Sequence, residues 1–248
     1  MFFVFVANLA RPALMEAEAL ATLLVKTAYE TRLLLAGGPP SVVLSTLDRN
    51  RAADVLGAVR SRGHDAHVFD DEALVRSEAM TKLDDFRLDP DGVRRTLDGD
   101  LLPYGDVFAI LRSSHDTRTN TEREASNGLD GMGSRGGPLR VVSKNEEREQ
   151  VAYFFRRSGD RPWLLRERHA SYVGLGEERS PMAFTNFARL LTRFRGAAPM
   201  AVFDDRLARR LVPERLDAEG ISSSSHGMDL LAHLLAMSIA SQGGSPYR

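Results

Sequence analysis

The first eight residues, Met-Phe-Phe-Val-Phe-Val-Ala-Asn, constrain the fold more than any other stretch of this chain. They are aromatic and β-branched almost throughout, which is strand composition. Successive side chains of a strand point to opposite faces. Phe2, Val4 and Val6 therefore share one face, and Phe3, Phe5 and Ala7 share the other. Both faces are apolar, a pattern satisfied only in the interior of a sheet with a layer packed on each side. The rest of the chain has to supply two covering layers.

The segments that follow supply elements for a small domain over residues 1–76. Leu14, Ala17, Ala21, Leu24 and Val25 recur at roughly helical spacing. Thr27 and Glu30 form an S/T-x-x-E capping box that starts a second helix, and Gly37-Gly38-Pro39 stops it. Residues 41–45 read as a strand. Ala52, Val55, Leu56 and Val59 mark a third helix ending at Gly63, and residues 66–69 form the next strand. The order β-αα-β-α-β is that of a split βαβ unit.

In this order the residues resemble the C-terminal domain of the bacterial ribosomal stalk protein. The resemblance rests on residues 2–6, 16–25, Thr27-Ala-Tyr-Glu-Thr-Arg32, the proline-marked strand at 39–44, residues 51–59, Gly63 and residues 66–69. It implies that fold. The family's tight G-L-G-L turn is Leu24-Val25-Lys26-Thr27 here, and its factor-binding lysines have no counterpart beyond Lys26. Arg32 stands where a family lysine would be, so translation-factor binding is not implied.

From about residue 79 the texture changes to short strands and turns. Residues 86–88, Asp89-Pro90-Asp91-Gly92, residues 93–97 and Asp98-Gly99-Asp100 read as a hairpin series. Residues 101–111 continue it, and residues 151–157, Ser158-Gly159-Asp160 and residues 163–168 form a further pair. Phe184, Phe187, Leu190, Leu191 and Phe194 close the region with an amphipathic helix. This plan, with the step Leu-Pro-Tyr-Gly-Asp-Val-Phe-Ala-Ile at 102–110, resembles the bacterial pleckstrin-homology-like domain over residues 79–196. Residues 113–150 read as a flexible insertion, with five glycines between Asn127 and Gly137. Residues 197–248 read as a tail with a short helix near 204–211 and a terminal helix at 227–240. Leu230, Leu231, Leu234 and Leu235 lie on one side of that terminal helix. The expected fold class is thus α+β: a split βαβ domain, a β-rich domain closed by a helix, and a helical tail.

Composition narrows the chemistry. The chain of 248 residues has a net charge of -1 and no cysteine, which excludes disulfides, thiol catalysis and sulfur-ligated metals. It fits a reducing cytoplasm, the expected location. The apolar runs at 1–10 and 230–240 are too short to span a bilayer. Of 33 basic residues only Lys26, Lys82 and Lys144 are lysine. Residues 1–80 carry 8 basic against 10 acidic side chains and no RNP-type octamer, which argues against RNA on the Phe3/Phe5 face. Residues 144–217 carry 15 basic against 11 acidic.

No catalytic, metal or cofactor set survives inspection. His64-x-x-His67 straddles two faces of a strand. His226, Asp229 and His233 share a helix face, but Asp229 suits the helix N-terminus and the preceding serines suit its cap. Ser113-Ser114-His115-Asp116 places three triad residue types in adjacency, where they cannot fold onto one another. The G-x-G-x-x-G at 131–136 lacks the strand and helix a phosphate loop needs. The expectation is a non-enzymatic interaction or adaptor protein. It would bind a protein partner through Arg156, Arg157, Arg166, Arg168, Arg189 and Arg193 of the β-rich domain, or through the tail helix. The alternatives are a hydrolase or transferase site at the domain interface near His115 and Asp116, and peripheral contact with anionic lipid or RNA.

Overall fold

In the computed structural model, which describes residues 1–124, 140–209 and 225–243, Phe2–Asn8 forms β1 at the centre of a three-stranded sheet. β2 (Ser41–Thr46) and β3 (Asp65–Asp70) flank it, both antiparallel. Its two apolar faces go to two different cores. Val4 and Val6 pack against Leu20 and Leu24 of α1 (Ala13–Leu24), Leu35 of α2 (Ala28–Ala36), and Ala52, Val55 and Val59 of α3 (Arg49–Ser61). Phe3, Phe5 and Ala7 belong to another cluster, built with a helix from the far end of the chain.

Local signals behave as expected in this unit. The Thr27 hydroxyl accepts from the Glu30 N–H at 3.2 Å, and the Thr27 N–H donates to the Glu30 carboxylate at 2.7 Å. The first helix differs from its predicted face: Leu14 is 69% exposed and Val25 83%. Val25 is the C-cap, at φ 57, so its side chain has left the helical stripe. The buried face is Glu16, Ala17, Leu20, Ala21 and Leu24.

The second unit holds two sheets. β5 (Phe86–Leu88), β6 (Gly92–Arg95) and β7 (Leu101–Pro103) form an antiparallel meander. The larger sheet contains β4 (Thr81–Lys82), β8 (Val107–Glu124), β9 (Arg140–Arg156), β10 (Trp163–Arg166) and β11 (Val202–Asp204), in the order β11-β8-β9-β10-β4. One face of it packs on α4 (Ala183–Ala197) and the meander through Ile110, Phe154, Trp163, Phe187, Leu190 and Phe194.

Two expectations about this half are corrected. The predicted insertion at 113–150 is largely sheet: β8 and β9 stay paired from Val107↔Arg156 out to Glu124↔Arg140. Their sequences are polar there and show no alternation, yet ladder bonds need only backbone groups. Residues 125–139 of that expectation lie outside the described residues. The predicted tail is part of the core. β11 pairs in parallel with β8, α5 (Arg206–Arg209) follows it, and α6 (Ser225–Gly243) is enclosed. Every residue of α6 from 227 to 236 is buried.

A helix buried all round must be covered from both sides. α6 lies between Phe3, Phe5, Val42 and Phe69 of the first sheet and Ala109, Leu111, Val151, Tyr153, Phe155 and Leu164 of the second. The layers therefore run as helices α1–α3, the β2-β1-β3 sheet, α6, the five-stranded sheet, and finally α4 with the meander. The protein is α+β, and its sequence-distant C-terminal helix is the layer that joins the two units.

Candidate functional site

The face of the larger sheet that meets α6 is apolar at one end and polar at the other. Cross-strand register sets out the polar end in rows. Leu164 stands opposite both Tyr153 and Lys82, Val151 stands opposite both Ser113 and Arg166, and His115 stands opposite Glu149. α6 brings Asp229 and His233 down onto these rows. The segment linking the two units contributes the short helical turn Ser77–Ala79.

Asp229 is fully buried and accepts three hydrogen bonds. The Ser77 N–H donates at 2.6 Å, the Ser77 hydroxyl at 2.5 Å and the Tyr153 hydroxyl at 2.8 Å. Tyr153 thereby uses its only proton, so its oxygen accepts from His115 Nε2–H at 2.6 Å. One helical turn further along α6, His233 Nε2 accepts from the Val75 N–H at 3.0 Å. The spacings match: four helical residues advance about 6 Å, and two extended residues about 6.6 Å. An Asp/His pair at i, i+4 thus reads the N–H groups of residues 77 and 75 in the linker. His233 then carries its proton on Nδ1. That atom is buried without a hydrogen-bond partner among the described residues, in a ring that packs on Phe155 (5.1 Å, 71°) and Phe69 (5.9 Å).

The outer part of the cluster is partly open. Glu149 accepts from the Arg168 N–H at 2.9 Å, contacts His169 Nδ1 at 2.9 Å and lies 4.0 Å from Arg166 Nε. Lys82 is half-buried at the edge of the sheet. Burial, then the Asp229 charge, holds the Tyr153 hydroxyl well above its usual range. Burial lowers His115 against the pull of Asp229 and Glu149. Burial and then the Arg166 charge lower the Lys82 ammonium. His233 falls to about 3 through burial alone.

A second buried polar group belongs to the first unit. Glu16, fully buried in α1, accepts from Arg62 Nε at 2.6 Å and from His64 Nε2–H at 3.1 Å, and His64 Nδ1 accepts from the Ala10 N–H at 3.1 Å. Arg62 above all lowers the Glu16 carboxyl. This triangle ties the β1–α1 loop to the end of α3. His67 faces elsewhere and stacks on Phe5 with ring centroids 5.4 Å apart.

The arginines read from the sequence fall in three places. Arg156 is held by Asp106 at 2.6 Å and Asp160 at 3.0 Å, and Arg157 donates to the Met200 carbonyl at 3.1 Å. Arg166 is the last residue of the β9–β10 pairing, opposite Val151, and Arg168 lies just past it, both beside Glu149. Arg189 and Arg193 project from α4 to Glu178, Arg189 to its carbonyl and Arg193 to its carboxylate. Of the interface pair, His115 joins the buried chain, while the Asp116 side chain lies outside the described residues. Asp229 accepts from the Ser77 N–H and hydroxyl of the linker, a role the sequence reading of a helix-terminus partner did not contain. Tyr153, Glu149, Ser77 and Lys82 were not singled out from the sequence. Their one signal was the presence of Asp229 and His233 inside an otherwise apolar helix.

Exposed apolar side chains concentrate elsewhere. Leu14 and Met15 of α1, Val25 of the turn, and Tyr29 and Leu33 of α2 are each more than half exposed. Tyr29 and Leu33 are one helical turn apart, and the Arg32 guanidinium sits 5.5 Å from the Tyr29 ring. Val25 is a β-branched residue in the left-handed region, a conformation that costs about 1 kcal/mol or more relative to glycine. Val25→Gly should therefore raise the unfolding free energy by about 1 kcal/mol, read as a higher urea midpoint with unchanged slope.

Comparison with models of known protein families, with curated proteins and with solved structures returns no match. No helix among the described residues is long and apolar enough to cross a membrane.

Proposed function

We propose that this is a cytoplasmic interaction protein whose docking face is the α1–α2 hairpin of the first unit. The observation that carries the reading is the concentration of exposed Val25, Tyr29 and Leu33 on that hairpin. Apolar side chains grouped on a surface rimmed by charge are characteristic of protein contact. Arg32 lies over Tyr29, so the fitting partner is a segment that presents an apolar side chain next to an acidic one. The cysteine-free composition supports a reducing compartment, and the pattern shared with the stalk-protein domain supports a small recognition module.

This reading takes the hairpin in preference to the arginines and the tail helix. α6 is buried at every position from 227 to 236, and Arg156 and Arg193 are engaged by acidic groups of their own chain. A second reading, a reaction site at the interface of the units, is favoured by the His115–Tyr153–Asp229 chain. Its acceptors and donors are all turned inward, which supports a structural role for that chain more directly.

The test is capture from the native host, comparing wild type with the double variant Tyr29→Ser, Leu33→Ser. Both side chains are exposed, so the variant should fold as the parent does. Partners specific to the hairpin should fall by about tenfold or more, the scale of losing two anchor side chains. Equal capture by both proteins overturns the assignment of the face. Loss of capture on Arg193→Glu alone would return the face to the arginines.

A further inference from the structure

We propose that Lys82 is a nucleophilic amine at which this chain forms a Schiff base with a small carbonyl compound that carries a carboxylate. The proposal concerns the second unit and is independent of the hairpin face. Three observations place it there.

First, Lys82 is positioned and unengaged. It lies on the edge strand β4, in the row it shares with Leu164 and Tyr153, and is half-buried on the α6 side of the sheet. Among the described residues its amine makes neither a hydrogen bond nor an ion pair, although Glu78, Asp84 and Asp229 are near enough to be felt. A surface lysine that neighbours three carboxylates usually leans on one of them. The β4 backbone is tied to the Pro162 and Leu164 carbonyls through Thr81 N–H and Leu83 N–H, which fixes the backbone position from which Lys82 extends.

Second, a cation stands beside it with unused donor capacity. Arg166 shares the sheet face with Leu164 and is one row away. Its Nε is buried without a hydrogen-bond partner, and Glu149 is no nearer than 4.0 Å. A guanidinium presents a fixed fork that matches a carboxylate. A carboxylate bound there would place an adjacent carbonyl within the reach of the lysine stem, and its charge would relieve the repulsion between the two cations.

Third, the surroundings favour the free amine. Partial burial and the Arg166 charge both penalise the ammonium, the two effects that commonly make a lysine nucleophilic near neutral pH. In a chain that uses arginine for nearly all its positive charge, Lys82 is the basic residue that can lose its proton at this place.

The reaction balances without an oxidant or reductant. The amine lone pair adds to the carbonyl carbon, and one amine proton passes to the carbonyl oxygen to give a carbinolamine. The second amine proton then leaves with that oxygen as water, while the C–O bond breaks and the C=N bond forms.

The chain contains three lysines, so the test has internal references. Native protein is incubated at pH 7.5 with glyoxylate, and in parallel with the uncharged propionaldehyde, each with cyanoborohydride to trap the imine. Peptide mass spectrometry then follows Lys26, Lys82 and Lys144 over time. With glyoxylate, Lys82 should be trapped severalfold faster than Lys26, because burial and the Arg166 charge leave more of its amine unprotonated than in an ordinary lysine. Arg166→Gln should lower the Lys82 rate with glyoxylate more than with propionaldehyde, since it removes the carboxylate-binding fork while the burial of Lys82 stays. If Lys82 leads with propionaldehyde and not with glyoxylate, the carboxylate part is overturned. If it leads with neither, the whole proposal is overturned, a result that leaves the hairpin reading untouched.

Discussion

Asp229→Ala is expected to lower the unfolding free energy by about 4 kcal/mol. The carboxylate is fully buried and accepts from the Ser77 N–H, the Ser77 hydroxyl and the Tyr153 hydroxyl. Alanine leaves those three donors without an acceptor in a place water does not reach. Each stranded donor costs about 1–3 kcal/mol, and they belong to the linker turn at Ser77 and to β9, which α6 holds in register. Asp229→Asn retains one acceptor oxygen but turns an amide N–H₂ toward donors, so its loss should be intermediate. Tyr153→Phe removes one donor and leaves His115 Nε2–H without its acceptor, a loss of about 1–2 kcal/mol. In a double-mutant cycle, Asp229→Ala and Tyr153→Phe should be strongly non-additive, because they remove the same hydrogen bond. Urea unfolding at neutral pH compares the four variants with wild type. A loss below about 1 kcal/mol for Asp229→Ala would mean that α6 is held by its leucines alone.

What could be read from the sequence divides along physical lines. β1 was legible on both faces because alternation is a property of adjacent residues, and so was the Thr27/Glu30 box, which closes over three residues. The same holds for β5 and β6 and for the turn at Gly159, whose φ of 76 suits a residue without a Cβ. The outer part of β8 and β9 was read as a loop because polar strands carry no side-chain period; only the backbone pairing reveals them. α6 misled in a different way. Leu230, Leu231, Leu234 and Leu235 form a stripe, which reads as one buried side and one free side. The residues off the stripe (Met228, Ala232 and Ala236) are small or adaptable, and they are buried as well. Asp229 and His233 looked like features of a local cap because the N–H groups they serve lie 152 and 158 residues earlier in the chain. No spacing rule connects such partners. The candidate site was invisible for the same reason, since Lys82, Arg166 and Tyr153 come together only through strand register.

Acidification should destabilise the protein through His233 well before its carboxylates titrate. His233 is fully buried, and burial holds its folded pKa at about 3, against 6.5 for the ordinary imidazole. The neutral ring is needed twice over: its Nε2 must stay unprotonated to accept from the Val75 N–H, and a charge among Phe69, Phe155 and α6 would have no counter-ion in hydrogen-bond contact among the described residues. Because the folded value is depressed, the unfolded chain binds the proton first as pH falls. Stability from this group is therefore complete above about pH 6.5 and declines steadily toward pH 3, at about 1.4 kcal/mol per unit, for a total of about 5 kcal/mol. His115, also lowered by burial, pulls in the same direction over the upper part of that window. Urea midpoints at pH 7, 6, 5 and 4 give the slope. His233→Leu should be less stable than wild type at pH 7 by about 1–2 kcal/mol, the cost of the stranded Val75 N–H. It should then lose less with each unit of acid, by one proton's worth of slope, so the two proteins converge and cross near pH 5–6. Parallel lines would show that His233 is already charged or already solvated in the folded protein, and α6 would then not be the sealed middle layer that its burial describes.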